Sequence, residues 1–199
     1  NSVWRFAGSM MLIALLALLL VQVDKILLSR LLSLEAFGYY ALASTVVMAI
    51  AVLVSPVTQA FYPEFCVIVA RADTTELAIA YHHSAQLVTV LAAPTALTLI
   101  FFSERILSLW TGDSVLVQEV APLLALLSVG SLLNGFMTAP YMLTLAYGWP
   151  GFAVRVNAWA VTILVPAIVW ATYNFGAMGA AWAWVLLNAG YVLFGIRYL

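Results

Sequence analysis

Charge is what this sequence has least of. Only 8% of its residues are Asp, Glu, Lys or Arg, against about 25% in an ordinary soluble domain. A water-exposed globule cannot be covered with so few. The net charge is -1, with no basic block and no acidic tail, so the electrostatic basis for nucleic-acid binding is missing. The one cysteine, Cys66, excludes an internal disulfide and argues against a thiolate metal site; an inert apolar role is expected for it. His82 and His83 are adjacent, about 100° apart on a helix, and have no partner at HExxH or CxxC spacing, which leaves them an interfacial polar role. No GxSxG, no P-loop and no GxGxxG in a strand–helix context occurs. No catalytic, cofactor or metal residues are therefore assigned, the chain is not expected to be an enzyme, and any transport must be secondary.

What is abundant is apolar surface, at 66% of residues, and the solvent for most of it must be lipid. A spanning helix needs about 20 mostly apolar residues, with all backbone hydrogen bonds made internally. Six segments qualify, at about 6–31, 38–62, 84–107, 118–146, 151–172 and 176–198. The expected fold is an all-α membrane protein, residues 1–199 forming one six-helix bundle. The first and fourth spans exceed the required length, so a tilt, a break or an interfacial turn is expected there. Turn chemistry separates the spans at Ser33–Gly38, Thr111–Ser114, Gly148–Gly151 and Asn174–Gly176. One connection reads as long, from Pro63 to His83. Within it 73-DTTE-76 is a capping-box-like start, and a short surface helix over 74–83 runs into the third span. The chain begins at Asn1 and stops within its last apolar segment, which suggests a piece of a longer protein.

With six spans both ends share a side. That side collects Arg5, Arg71, Arg155 and Arg197, and the other Arg30, Arg105 and Lys25, a small bias toward cytoplasmic ends. Trp4, Tyr62, Tyr81, Trp149 and Tyr198 fall at one interface; Tyr39, Tyr40, Trp110, Trp170 and Tyr173 fall at the other.

The informative residues are polar groups inside these spans. Gln22, Lys25, Ser29 and Ser33 form a narrow helical stripe, while Asp24 lies beside Leu20, Leu27, Leu28 and Leu31. Adjacent residues do not face each other on a helix, so Asp24 and Lys25 each want a different partner. A charge at bilayer depth costs about 2.5–3.5 kcal/mol on insertion scales. It persists where it meets a watery cavity or a partner helix; the alternative is that both residues lie near the interface, where Lys25 snorkels and Asp24 is simply wet. Pro56, Pro94, Pro122, Pro140 and Pro166 suit bent helices around a cavity. In 176-GAMGAAWAWVLLNAG-190, small residues spaced four apart allow close helix packing. Asn134, Asn157 and Asn188 are amides that either tie helices together or face a cavity.

The run 23-VDKILLSRLLSLEAFGYYALAS-44, then 55-SPVTQAFYPEF-65, 71-RADTTEL-77, 132-LLNGFMTAPYMLTLAYGWPG-151 and 173-YNFGAMGAAWAWVLLNAGY-191, resembles the polysaccharide-flippase branch of the multidrug/oligosaccharidyl-lipid/polysaccharide (MOP) exporter superfamily. The similarity covers essentially the whole chain. It implies one bundle, the C-terminal half, of a MATE-type transporter of 12–14 spans, with a missing N-terminal six-helix half and both ends of this piece cytoplasmic. It also implies alternating access that carries an undecaprenyl-type lipid-linked oligosaccharide, such as an O-antigen repeat unit, across the bacterial inner membrane. Coupling would be to H+ or Na+. By resemblance Asp24 and Asn157 take the place of a cation site among the first, fifth and sixth helices, though the fifth helix here carries no second acid. Lys25, Arg30 and Arg155 are the cations available for an anionic head group, and Asn188 is a further cavity candidate. Rival readings are a multidrug/cation antiporter of the same superfamily, a membrane enzyme acting on lipid-linked sugar, and a non-catalytic assembly subunit of polysaccharide synthesis.

Overall fold

The computed structural model describes residues 8, 11, 15, 22 and 24–198, without the side chains of 153 and 195–198. Most of the first expected span, 6–23, lies outside the described residues, as do Trp4 and Arg5. What is described is helical. Helix α1 covers 24–31. It is followed by α2 (Leu34–Arg71), α3 (Thr74–Thr111), α4 (Ser114–Phe136), α5 (Thr138–Ala146) and α6 (Pro150–Tyr198). Among the described residues, four stretches are long and apolar enough to cross a membrane: α2, α3, α4 with α5, and α6.

Two turns use one device. Ala72 (φ 55°) and Gly112 (φ 66°) end α2 and α3 in the left-handed region, and an Asp follows each directly. Asp73 Oδ1 accepts from the N–H groups of Thr75 and Glu76 at 3.0 and 2.9 Å. Asp113 Oδ1 accepts from those of Val115 and Leu116 at 2.9 and 3.3 Å. A carboxylate at the N-cap satisfies two donors that the helix itself leaves unpaired. The capping signal read at 73-DTTE-76 is therefore where α3 begins.

The long connection expected over Pro63–His83 is absent. Helix α2 continues through Pro63 to Arg71, and the predicted surface helix is simply the first part of α3. A proline removes one backbone donor, and apolar burial beyond it outweighs that loss here. Phe65 and Ile68 close against Leu77, Ala80, Met142, Leu143 and Ala146 in a small second core. Each of α2 and α3 has 38 residues, or about 57 Å at 1.5 Å per residue, well beyond a hydrocarbon core of about 30 Å. The surplus lies at their shared turn, where Glu64, Arg71, Asp73, Glu76, His82 and His83 are all exposed.

The fourth expected span breaks as its length suggested. Helix α4 stops at Phe136, and Pro140 stands third in α5 with no N–H to offer the Phe136 carbonyl. Elsewhere the helices run through their prolines. Departures from helical dihedrals inside α3 and α6 fall at Phe102 and Gly176. At Gly176 (φ 60°, ψ -145°) the chain turns back, and Gly179 comes so close to the Ala171 carbonyl that a Cβ would not fit. Residues eight apart in a straight helix would be about 12 Å apart. Thus α6 is two arms, 150–175 and 177–198, meeting at the Asn174–Gly176 turn read from the sequence.

Helix α4 is central, its Val120, Leu124, Leu127 and Ser128 buried among α2, α3 and α6. The outer surface is apolar: Phe101, Leu109, Trp159, Leu186 and Leu193 are all exposed. This is a protein solvated by lipid over most of its flank.

Candidate functional site

Among the described residues, a hollow of about 410 Å³ lies between α1, α2, α4, α5 and α6, its wall apolar over most of its area but set with polar side chains; the volume is at the lower end of the roughly 300–1,000 Å³ typical of small-molecule sites. Its walls follow from helical spacing. Helix α2 presents Tyr40, Ser44, Met48, Ala51, Ser55 and Thr58 along one face, at intervals of three and four. Helix α4 adds Leu127, Ser131 and Asn134, α5 adds Thr138, and α6 adds Trp184. Val47, Ile50 and Val54 of α2 add to the lining.

Asp24 and Lys25 of α1 both line this hollow and are half-buried. The carboxylate is tied by two donors. Its Oδ1 accepts from the Lys25 backbone N–H at 2.7 Å, and its Oδ2 accepts from the Tyr40 hydroxyl at 3.0 Å. Tyr40 is itself only 1% exposed, so the phenol is a fixed donor rather than a mobile one. These two donors offset part of the cost of taking the carboxyl group out of bulk water.

Where α4 meets α6, two amides form an interhelical clamp. Asn134 Nδ2 donates to Asn188 Oδ1 at 2.8 Å, and Asn188 Nδ2 donates to the Trp184 carbonyl at 2.8 Å. Asn188 is fully buried behind the wall, whereas Asn134 remains exposed within the hollow. Trp184 sits against Gly130, where a Cβ would overlap the indole Cδ1 and Nε1. The absent side chain at 130 is what lets α6 bring its indole to the cavity wall.

Of the residues expected to form a site, Asp24 and Lys25 are brought together at the hollow. Asn188 stands one layer behind it. Arg30 is exposed on α1, Arg155 is exposed near the start of α6, and Asn157 is half-buried; none of the three lines the hollow. Among the described residues, no three His, Cys, Asp or Glu side chains gather as metal ligands. Tyr40 and Trp184 were not singled out in the sequence as site residues. A signal for each exists: Tyr40 is in phase with the α2 hydroxyls, and Gly130/Asn134 and Trp184/Asn188 are matched pairs at i, i+4.

A family model described as polysaccharide biosynthesis protein matches residues 1–118, more than half of the 199-residue chain. The chain belongs to this family. In this polysaccharide biosynthesis protein the match takes in Asp24, Tyr40 and the hydroxyl face of α2, and it ends before Asn134, Trp184 and Asn188. No curated protein and no solved structure matches the chain.

Proposed function

We propose that this chain is one six-span bundle of a secondary transporter that flips a lipid-linked oligosaccharide between the leaflets of a bacterial inner membrane. The observation that carries the reading is a hollow, apolar over most of its wall, at which hydroxyls, an amide, Lys25 and the tethered Asp24 carboxylate come together in a bundle whose outside is apolar. Membership of a polysaccharide biosynthesis family supports a sugar-bearing cargo. A sugar head group is rich in hydroxyls and suits such a wall, whereas its lipid tail stays in the bilayer.

In this reading the turn at Gly176 divides α6 into the fifth and sixth spans, and α1 is the end of the first. Both ends and the projecting α2–α3 turn face the cytoplasm, and a second bundle supplies the facing wall. The two bundles open the hollow to one leaflet at a time, driven by an H+ or Na+ gradient, with Asp24 the acidic group that senses the ion.

Vesicles containing the whole transporter and a fluorescent lipid-linked oligosaccharide test this. The expected result is transbilayer movement of unaltered lipid, slowed by Asp24→Asn at unchanged protein level. Chemical conversion of the lipid in detergent would point to an enzyme, and normal movement in the variant would remove Asp24 from the mechanism.

A further inference from the structure

Trp184 is placed unlike the other described tryptophans. Trp110, Trp149, Trp159, Trp170 and Trp182 are all exposed on the outside of the bundle, while Trp184 is half-buried and turned into the hollow. Trp182 and Trp184 lie two apart on one arm of α6 and so point to nearly opposite sides. The inward ring is held from two directions. Its pyrrole edge rests in the notch left by Gly130. Its backbone carbonyl is engaged by Asn188, which Asn134 ties to α4.

We infer that Trp184 is a specificity-determining residue, a fixed aromatic platform on which a sugar ring of the cargo stacks. The inference rests on the transport reading above. The face of an indole is electron-rich, and the C–H groups on the flatter side of a pyranose carry partial positive charge, so the two surfaces are complementary. The hydroxyls at the rim of such a ring would then reach Ser131 and Asn134, the polar groups of the α4 wall that share the hollow with Trp184. Asn134 spends one N–H on Asn188, which leaves its carbonyl oxygen and second N–H for a ligand. A stacked ring is recognised by shape and C–H placement, not by charge. Trp184 therefore discriminates between glycosylated and bare lipid pyrophosphates, while Lys25 and Asp24 do not.

The test uses the whole transporter in nanodiscs and two probes: a short polyprenyl pyrophosphate bearing an N-acetylhexosamine disaccharide, and the same lipid without sugar. The unsubstituted protein is expected to bind the glycosylated probe roughly three- to ten-fold more tightly, the range for one well-placed aromatic contact. Trp184→Phe should keep most of that preference; Trp184→Leu should abolish it while binding of the bare lipid is unchanged. A preference that survives in Trp184→Leu overturns the platform and leaves the transport reading intact, and so does the lack of any preference in the unsubstituted protein. Failure of both probes to bind the unsubstituted protein overturns the transport reading, and the platform with it. Should Trp184→Leu not fold, 5-fluorotryptophan labelling serves instead. The 19F resonance that disappears in Trp184→Phe must shift with the glycosylated probe and not with the bare one; a resonance indifferent to both, under saturating binding, contradicts the inference.

Discussion

The Tyr40 hydroxyl donates to Asp24 Oδ2 at 3.0 Å across the turn that joins α1 to α2. One residue of the pair is a half-buried acid in a leucine-rich helix and the other is a phenol with almost no exposure. The bond thus fixes both the entry of α2 and the direction in which the carboxylate faces. Tyr40→Phe leaves that oxygen without its donor and should destabilise the protein by about 1–3 kcal/mol. In Asp24→Asn, which retains an acceptor oxygen, the same tyrosine change should cost less. Unfolding in a detergent series for the four proteins of the double-mutant cycle measures the difference. Additive effects would mean that the two side chains do not act together.

Ala72 closes α2 with φ 55°, the only non-glycine residue among those described with positive φ. Gly112 has the same role at the end of α3. A side chain in this region costs roughly 1–2 kcal/mol, so Ala72→Gly should stabilise the α2–α3 turn by about 1 kcal/mol after allowance for the extra freedom of glycine in the unfolded chain. A higher unfolding midpoint and slower hydrogen exchange over 70–77 are the expected readings.

The Asn134–Asn188 bond joins α4 to the second arm of α6 over a sequence separation of 54. Hydrogen bonds between membrane helices couple by about 0.6 kcal/mol on average, up to about 1.7. Asn188→Leu alone should cost more than Asn134→Leu, because Asn188 is fully buried and also engages the Trp184 carbonyl. The pair should couple within that range by double-mutant cycle.

Gly176 and Gly179 make the reversal in α6 possible, one through backbone dihedrals that favour glycine and the other through its approach to the Ala171 carbonyl. Gly179→Val should splay the two arms and lower the yield of folded protein sharply, whereas Gly151→Val, with open space around the Cβ position, should be tolerated.

Much of this architecture could be read before any coordinates, because a bilayer imposes simple rules on length and on hydrogen bonding. The turns at Thr111–Ser114 and Asn174–Gly176 were legible, since Gly and Asp are needed there for positive φ and for capping. The Pro63–His83 segment was misread as a long connection: proline and charge mark a break only when no packing compensates, and part of the packing around Phe65 and Ile68 comes from α5, about 75 residues on. For the hollow, Asp24 and Lys25 stood out because charge among leucines is conspicuous. Trp184 did not, because one tryptophan among seven says nothing about which faces inward until Gly130 is seen beneath it. Arg30, Arg155 and Asn157 share the chemistry expected of a site, but their places on the helices keep them off the hollow.

The claim beneath all of this is that water reaches the Asp24 wall inside a lipid-clad bundle. Thiol accessibility measures that directly. In a background with Cys66 replaced by Ala, single cysteines are placed at Ser131, in the hollow, and at Val52 and Leu186, on the apolar outside. In intact membranes a charged, water-soluble methanethiosulfonate should modify Ser131→Cys at least ten-fold faster than either outer position. Equal rates, or faster reaction at Val52→Cys or Leu186→Cys, would contradict a hydrated cavity at this face.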